Sequence, residues 1–419
     1  MNMLAEKFSD NCNNGFVSYY LGPTRHSVHL SNLEEISCAA EGGLLDENQW
    51  CELKGELGPI NKPVNLELAR DLASLSLDGG VLIFGVADKT FELIGCDATS
   101  LETRVSQVAA TAVQPPLSPV FNPPITLPNG KSIVVVSIPR SSVAPHMADN
   151  RYWGRSSEGK RVLSDAEVRR LIEAQSASRN LFSNSFKEFI EQDPLSRLVK
   201  NGTSINGHGF FMATPQGHLK LDNFSQENLQ GLLARLSSRH NPNTLNNMLK
   251  NCCNPARDPK GVGLRSVCEQ VPQKDEWKLT QVTVSDEGTV MSTFAESSSL
   301  YPLPDGKKIL CTYPDRTVQF LAQNLEILSL LSKDYGYQGE WQGAIGLTRL
   351  DGATRHTSNF SYRPFPYSQN TYIYEATLQP MDWVDDSEKL NDMTLRLLRG
   401  YLRGLGIENY SYIDLMKGI

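Results

Sequence analysis

No two cysteines in this chain stand at CxxC spacing, although eight are spread along its 419 residues. That excludes a zinc ribbon and a thioredoxin-type redox motif. Cys252 and Cys253 are adjacent, with His240 and Cys268 nearby. Adjacency is an unusual spacing for metal ligands, so no zinc site is expected and the cysteines read as reduced, mostly buried thiols. No apolar run approaches the ~18 residues that span a bilayer. The opening Met1-Asn2-Met3-Leu4-Ala5-Glu6-Lys7 lacks the apolar stretch and cleavage pattern of a secretory signal. A soluble, cytoplasmic protein without a membrane partner is the expectation. Positive charge is not in excess either: the net charge is −7. Any nucleic-acid contact must therefore come from a local basic patch. No internal repeat of fixed period is present, and no Ser-His-Asp or Cys-His nucleophile set declares itself.

A P-loop is absent as well. Pro128-Asn129-Gly130-Lys131-Ser132 mimics its tail, but Ile125 stands where the leading glycine belongs, and the segment joins two strands. Gly79-Gly80 precedes a strand, the wrong context for a helix N-terminus that cradles phosphate.

What is present suits two or three globular domains. Hydrophobic residues make up 40% of the chain and charged residues 21%, enough for real cores and against wholesale disorder. Residues 1–40 are polar and weakly patterned, with turn chemistry at Asn11-Cys12-Asn13-Asn14-Gly15 and the pair His26 and His29, and read as a partly ordered extension. From Trp50 the pattern sharpens. Trp50, Glu52 and Lys54 alternate with Cys51 and Leu53 at strand period. Pro63 opens a helix carrying Leu68, Leu72 and Leu75, which Asp78-Gly79-Gly80 stops. Val81–Val86 is a continuous apolar strand, buried on both faces if central. Ala87-Asp88-Lys89-Thr90 makes a turn, and Phe91–Ile94 returns as its partner strand. A second helix fits Leu101–Val113, broken by Gln114-Pro115-Pro116. Strands follow near Val120, over Ile133–Ile138 and over Arg151–Arg155. Ser164 and Glu167 form a capping box that opens a helix to about Ala177.

Beyond about Arg179 the pattern predicts helices over Asn180–Leu198, Gln226–Ser238, Thr317–Ser332 and Ser387–Leu405. Strands are predicted at Gly207–Met212, Trp277–Val284, Gly288–Phe294, Trp341–Leu350 and Thr371–Leu378, with Asn241–Gly263 as a loop. In the last helix Leu390, Thr394, Leu397, Leu398, Tyr401 and Leu405 make a core stripe, and Arg396, Arg399 and Arg403 a basic one. The fold class is α+β: a polar extension (1–40), a first α+β domain (41–178) and a second (179–419).

An ordered set of motifs carries a resemblance over about residues 46–172. It runs Glu47-Asn48-Gln49-Trp50-Cys51-Glu52-Leu53-Lys54, then Asp78-Gly79-Gly80 into the apolar strand and Gly85, then Asp88-Lys89 and Ile94-Gly95. Gln114-Pro115-Pro116, the strand Val134–Ile138, Pro145-His146 and Tyr152-Trp153-Gly154-Arg155 complete it. Each piece is common, and their order and spacing are specific. The segment resembles the Schlafen/AlbA-like (divergent AAA) domain family. The family's usual Asn-Thr before Asp-Gly-Gly is Ser76-Leu77 here, a change that touches a helix C-terminus rather than the carboxylates.

The resemblance implies a mixed sheet flanked by helices. It also implies, from Schlafen-type endoribonucleases, that Glu47, Glu52 and Asp88 form a metal-dependent active site assisted by Lys54. Carboxylate oxygens are hard ligands that suit Mg²⁺ or Mn²⁺ bridged to phosphate. The bare residues also read as an ion pair of Glu52 with Lys54 on a strand face and Asp88 as a turn former. Arg140, Arg151, Arg155, Lys160 and Arg161, with Tyr152 and Trp153 interleaved, suit phosphates and an unstacked base. The leading expectation is a metal-dependent endonuclease acting on structured RNA such as tRNA. The alternatives are a non-catalytic DNA-binding transcriptional regulator with a C-terminal sensor, and an ATP-binding module. RNA or DNA is the expected partner, and homo-oligomer formation is left open.

Overall fold

The computed structural model describes residues 18–19, 28–45, 47–157, 159–200, 204–219, 221, 223–236, 248–259, 261–303, 305–356 and 366–407. The turn at residues 11–15, His26 and His240 lie outside them. The chain folds as two compact units. The first holds Met1–Asn180 with the short returns Gln216–His218 and Ser332–Glu340, and the second holds the remainder.

In the first unit the chain runs β1 (Ser18–Tyr19), β2 (Val28–His29), α1 (Leu33–Glu41), β3 (Cys51–Lys54), α2 (Lys62–Leu75) and β4 (Gly80–Phe84). It continues through α3 (Leu101–Thr111), β5 (Val113–Gln114), β6 (Val120–Phe121), β7 (Ile125–Thr126) and β8 (Ser132–Ile138). Then come β9 (Met147–Ala148), β10 (Arg151–Ser156), β11 (Gly159–Val162) and α4 (Asp165–Gln192), which carries the chain into the second unit. The main sheet has the order β3-β4-β8-β6, with β7 on β8. β3 and β4 are parallel, joined by α2, and the other pairs are antiparallel. This is the mixed sheet flanked by helices that the sequence led one to expect.

The apolar run of β4 demands cover on both faces, and it has it. Leu82 and Phe84 pack with Leu68, Leu72 and Leu75 of α2 and with Val105 and Val108 of α3. Val81 and Ile83 pack on the other side with Cys51 and Leu53 of β3 and with Ile36 and Ala39 of α1. Residues 28–41 therefore do not belong to a polar extension. Their few apolar side chains (Val28, Leu30, Ile36, Ala39) complete the second core layer. Asn61 caps α2, accepting from Val64 N–H at 3.0 Å, with Pro63 in the first turn as predicted. At the other end Ser76 is the C-cap, its Oγ donating to Ala73 O at 2.8 Å, so the family's departure at this position is absorbed within the helix terminus. The return after Asp88 is reduced to a single bridge, Val86 to Leu93.

A second, small sheet of order β11-β10-β9-β5 packs on α2. Arg155 and Lys160 are direct cross-strand partners in it. Ser164 and Glu167 make the expected capping box: Ser164 N–H donates to Glu167 Oε2 at 2.9 Å and Glu167 N–H to Ser164 Oγ at 3.4 Å.

The second unit holds β12 (Gly207–Pro215), α5 (Gln226–Arg235), β13 (Asn254–Asp258), β14 (Gly261–Arg265), β15 (Thr280–Ser285), β16 (Val290–Pro302) and β17 (Lys308–Thr312). α6 (Pro314–Asp334), β18 (Trp341–Leu347), β19 (Thr354–Arg355), β20 (Tyr372–Leu378) and α7 (Ser387–Gly404) follow. One sheet runs β13-β14-β15-β16-β12-β18-β20, with β17 on β16 and β19 on β17. Three predictions are corrected. α4 is a single 28-residue helix, without a break near residue 178. Part of the expected loop 241–263 is the strand β13 and the start of β14. β17 was not anticipated. The core stripe of α7 is buried as predicted, including Leu398 and Tyr401. Among the described residues no helix is long and apolar enough to cross a membrane.

Candidate functional site

Strand alternation settles which way the acidic residues of β3 face. Cys51 and Leu53 are committed to the α1 side, so Glu52 and Lys54 lie on the α2 side. There they meet two acids of α2 at i, i+4 spacing, Glu67 and Asp71. Glu52 is 8% exposed and Asp71 fully buried. Lys54 Nζ lies 3.2 Å from Glu52 Oε1 and 2.8 Å from Asp71 Oδ2. Lys160 Nζ contacts Asp71 Oδ1 at 2.5 Å and also pairs with Glu67. Arg155 reaches across from β10. Its Nη2 lies 2.7 Å from Glu52 Oε2 and donates to the carbonyls of Asn48 and Cys51 at 2.9 and 3.3 Å.

Arg70 adds a further pair, 3.1 Å from Glu67 and 2.7 Å from Asp149, so four acids (Glu52, Glu67, Asp71, Asp149) meet four bases (Lys54, Arg70, Arg155, Lys160) and the cluster is charge-balanced. Loss of water alone would raise Glu52, but Lys54 and Arg155 outweigh it and hold its carboxyl below the usual range. Burial raises Asp71 against the pull of Lys54 and Lys160. Both lysines, by contrast, are raised by Asp71 despite their own burial. The lysines are the better guide to the charge state here, because one ammonium group sits on each Asp71 oxygen.

Glu47 and Asp88 stand outside this balance. Glu47 Oε1 accepts a hydrogen bond from Leu53 N–H at 3.3 Å, and its carboxyl is within side-chain hydrogen-bonding reach of Asp88. Desolvation first, then the charges of Glu52 and Asp88, push Glu47 up to about 7. Both residues are exposed at the surface, and no basic side chain pairs with either among the described residues. Two neighbouring carboxylates without a counter-charge concentrate negative potential at this rim.

The sequence-predicted residues therefore divide. Glu47 lies near Glu52 and near Asp88, but both Glu52 oxygens are already held by Lys54 and Arg155. Among the described residues no three His, Cys, Asp or Glu side chains are grouped closely enough to cage a metal ion. The donor set fits a hard divalent ion at two carboxylates, Glu47 and Asp88, rather than at three. Mg²⁺ is commonly bound this way, with waters and substrate phosphate completing its shell. Lys54 is a half-buried partner of Glu52 and Asp71.

The expected phosphate-gripping set is redistributed for the same reason. Arg155 is 6% exposed and committed to Glu52, and Lys160 is held by Asp71 and Glu67, so neither is available to an outside phosphate in this arrangement. Arg161 forms a forked pair with Glu167 at 2.6 and 3.1 Å. Arg140 donates to Gln216 O at 3.1 Å. Arg151 is exposed, and Tyr152 is half-buried. Trp153 Nε1 donates to Ala148 O at 2.8 Å while Arg70 stacks 5.3 Å from its ring. His146 is fully buried and pinned between Pro115 O and Ser141 Oγ at 2.7 and 2.8 Å.

Sequence reasoning missed Glu67 and Asp71. The available signal was Asp71 itself, an acid in the middle of an otherwise apolar helical stripe. It also missed a buried polar group in the second unit. His208 Nδ1 meets Asp193 Oδ1 at 2.9 Å, and its Nε2 meets Glu276 Oε1 at 2.8 Å and Ser204 Oγ at 3.1 Å. An Asp, a His and a Ser in that order suggest a nucleophile set. The second carboxylate argues otherwise: Glu276, fully buried, takes the nitrogen that would serve as base, and Ser204 donates to Glu276. Burial lowers the His208 pKa, but Asp193 and Glu276 outweigh it and raise it to about 9. A histidine raised on folding contributes stability that is complete below about pH 6.5 and lost as pH rises through about 9. Urea denaturation of the wild type should show that decline. His208→Gln, which cannot take up the proton, should be flatter across the same window and less stable than the wild type at pH 6.

Against this geometry, residues 47–164 match the family model described as Schlafen, AlbA_2. No curated protein matches the chain. Among solved structures, the N-terminal domain of a RecG-related protein from Nitrosomonas europaea is 20% identical, covering 27% of this chain and 79% of that one at a TM-score of 0.21. The DIP2311 protein from Corynebacterium diphtheriae is 10% identical, covering 91% and 74% at a TM-score of 0.24. At such scores neither bears on function. The chain thus carries a Schlafen/AlbA_2 domain at residues 47–164, and no family model matches the rest.

Proposed function

We propose that the first unit hydrolyses phosphodiester bonds in nucleic acid, structured RNA before duplex DNA, with a Mg²⁺ or Mn²⁺ ion held by Glu47 and Asp88. The observation that carries this reading is the uncompensated pair of carboxyl groups beside a charge-balanced cluster. The Schlafen/AlbA_2 match supports a nucleic-acid-related role for the same segment. A divalent ion bound there supplies polarisation of the scissile phosphate and an activated water. The chain's own residues do the rest. Glu47 and Asp88 bring negative charge to the exposed rim. Glu52, fixed by Lys54 and Arg155, keeps the β3 backbone and the Glu47 contact to Leu53 N–H in place, a positioning role rather than a ligand's. Lys54 holds Glu52 and Asp71 together and takes no part in proton transfer.

The test is cleavage of tRNA, rRNA and single- and double-stranded DNA with Mn²⁺ or Mg²⁺ by wild type, Glu47→Gln and Asp88→Asn. Activity in the wild type and its loss in both variants supports the proposal. Equal activity in all three, or none in any, removes it.

One observation favours a second reading, a non-catalytic nucleic-acid-binding regulator: the cluster around Asp71 is closed by internal ion pairs and needs no ligand to be complete. That reading predicts salt-sensitive binding that survives loss of Glu47 and Asp88 together.

A further inference from the structure

The small sheet presents a second face, opposite to the one that carries Arg155 and Lys160. Side chains alternate along β10, so Tyr152 projects away from the Arg155 cluster three residues on, roughly 10 Å along the strand. Tyr152 is the cross-strand partner of Met147 on β9, and Met147 of Gln114 on β5. The three make one row across three strands. Ile172 and Gln175 of α4, one helical turn apart, form a wall beside that row, and Val143 closes one end. The resulting cavity measures about 440 Å³, within the ~300–1,000 Å³ of ordinary small-molecule sites.

The cavity's chemistry is mixed in a particular way. Its floor is apolar and includes one aromatic ring. The Tyr152 hydroxyl and the Gln114 carboxamide have no hydrogen-bond partner among the described residues. Gln175 is anchored by donating to Ala144 O. Val143 and Ile172 are about half exposed, at 47% and 49%, although they line a concave surface. One guanidinium group stands beside it: Arg179 donates to Ser142 O at 3.0 Å, next to Val143. A flat apolar ligand with polar edges and an attached anion meets all of these features. A peptide side chain supplies the apolar surface but not the flanking negative charge.

We infer that this cavity is a nucleobase subsite, which receives one unstacked base of a single-stranded segment against Tyr152, with its polar edge toward Gln114 and an attached phosphate toward Arg179. The inference rests on the nucleic-acid reading above and adds to it a recognition element separate from the carboxylates. Stacking of one base on an aromatic side chain contributes about 1–3 kcal/mol and tolerates any base. The subsite therefore selects unpaired over paired nucleotides more than it selects sequence.

The test is fluorescence anisotropy of the full chain with a labelled twelve-nucleotide single-stranded RNA, and with the same strand carrying abasic positions. Tyr152→Phe keeps the ring and Tyr152→Leu keeps apolar bulk without it, so both preserve the packing of the small sheet. Tyr152→Leu is expected to raise Kd roughly tenfold, Tyr152→Phe to bind like the wild type, and the abasic strand to erase the difference between Leu and wild type. Equal Kd values for all three proteins overturn the subsite, as does a Leu-to-wild-type difference that the abasic strand leaves intact. The two proposals fail separately. If Tyr152→Leu binds and cleaves as the wild type while Glu47→Gln binds without cleaving, the subsite is wrong and the nuclease stands. If Tyr152→Leu loses binding and no protein cleaves, the nuclease is wrong and the subsite stands.

Discussion

Glu52→Ala is expected to lose about 3–5 kcal/mol of stability, the usual cost of leaving one member of a buried ion pair without its partner. Arg155 is the residue left behind. It is 6% exposed, and among the described residues the 2.7 Å contact to Glu52 is its one carboxylate partner. The remaining acceptors, the carbonyls of Asn48 and Cys51, do not neutralise a guanidinium. Lys54 loses less, because Asp71 still holds it at 2.8 Å. Glu52→Gln, which keeps an oxygen for Arg155, should fall between the alanine variant and the wild type. Urea denaturation followed by circular dichroism measures all three, with Glu47→Gln as the control. That variant keeps an oxygen for Leu53 N–H and removes a charge repelled by acidic neighbours, so it should leave stability unchanged or slightly higher. Should Glu52→Ala unfold at the wild-type urea concentration, the buried cluster is not the stabilising element described here. The consequence for activity measurements is direct: lost cleavage in Glu52→Ala reports on folding before it reports on chemistry.

The larger effect on activity is expected at Glu47 and Asp88, where fold and chemistry separate. Glu47→Gln and Asp88→Asn each keep side-chain size at an exposed position while removing one charge from the cation site. Cleavage should fall by roughly 10²–10⁴-fold in each, the scale typical of removing a group that acts on the reacting atoms. The double variant should fall little further than either single one, because two ligands of one ion act as a unit. Thermal midpoints should match the wild type within a few degrees. Retained cleavage in Asp88→Asn would return Asp88 to the role of turn former, one of the two readings open from the sequence.

Those two predictions draw on different parts of what the sequence discloses. The apolar run of β4 could be read as a strand buried on both faces because continuous hydrophobicity permits little else. Pro63 and the Ser164–Glu167 box mark helix starts by local chemistry that tertiary packing seldom overrides. Glu47, Glu52 and Asp88 emerged from motif order, and of them Glu47 lies near each of the other two. Their partners were not. Asp71 and Lys160 are 89 residues apart and Arg155 is 103 from Glu52, so only the packing of α2 against two sheets joins them. A run of arginines and lysines on β10 and β11 looks like a phosphate-binding strip until α2 supplies Glu67 and Asp71 to neutralise it. The same limit hid α1. It is a short helix within a polar stretch of the chain, and only the face of β4 away from α2 explains why Ile36 and Ala39 are buried. The expected end of one helix near Ala177 and start of another at Asn180 both fall inside α4, where neither proline nor glycine interrupts the helix. The strand β13 begins Asn254-Pro255, and proline argued for a loop there; it lies at the sheet's edge, where a missing N–H is tolerated.

Calorimetric titration of Mn²⁺ into the full chain tests the central claim most directly. The account predicts one ion per chain in the wild type, bound through Glu47 and Asp88, with binding lost in Glu47→Gln and in Asp88→Asn and kept in Glu52→Gln. Undiminished binding in the first two variants, or loss confined to Glu52→Gln, would contradict it.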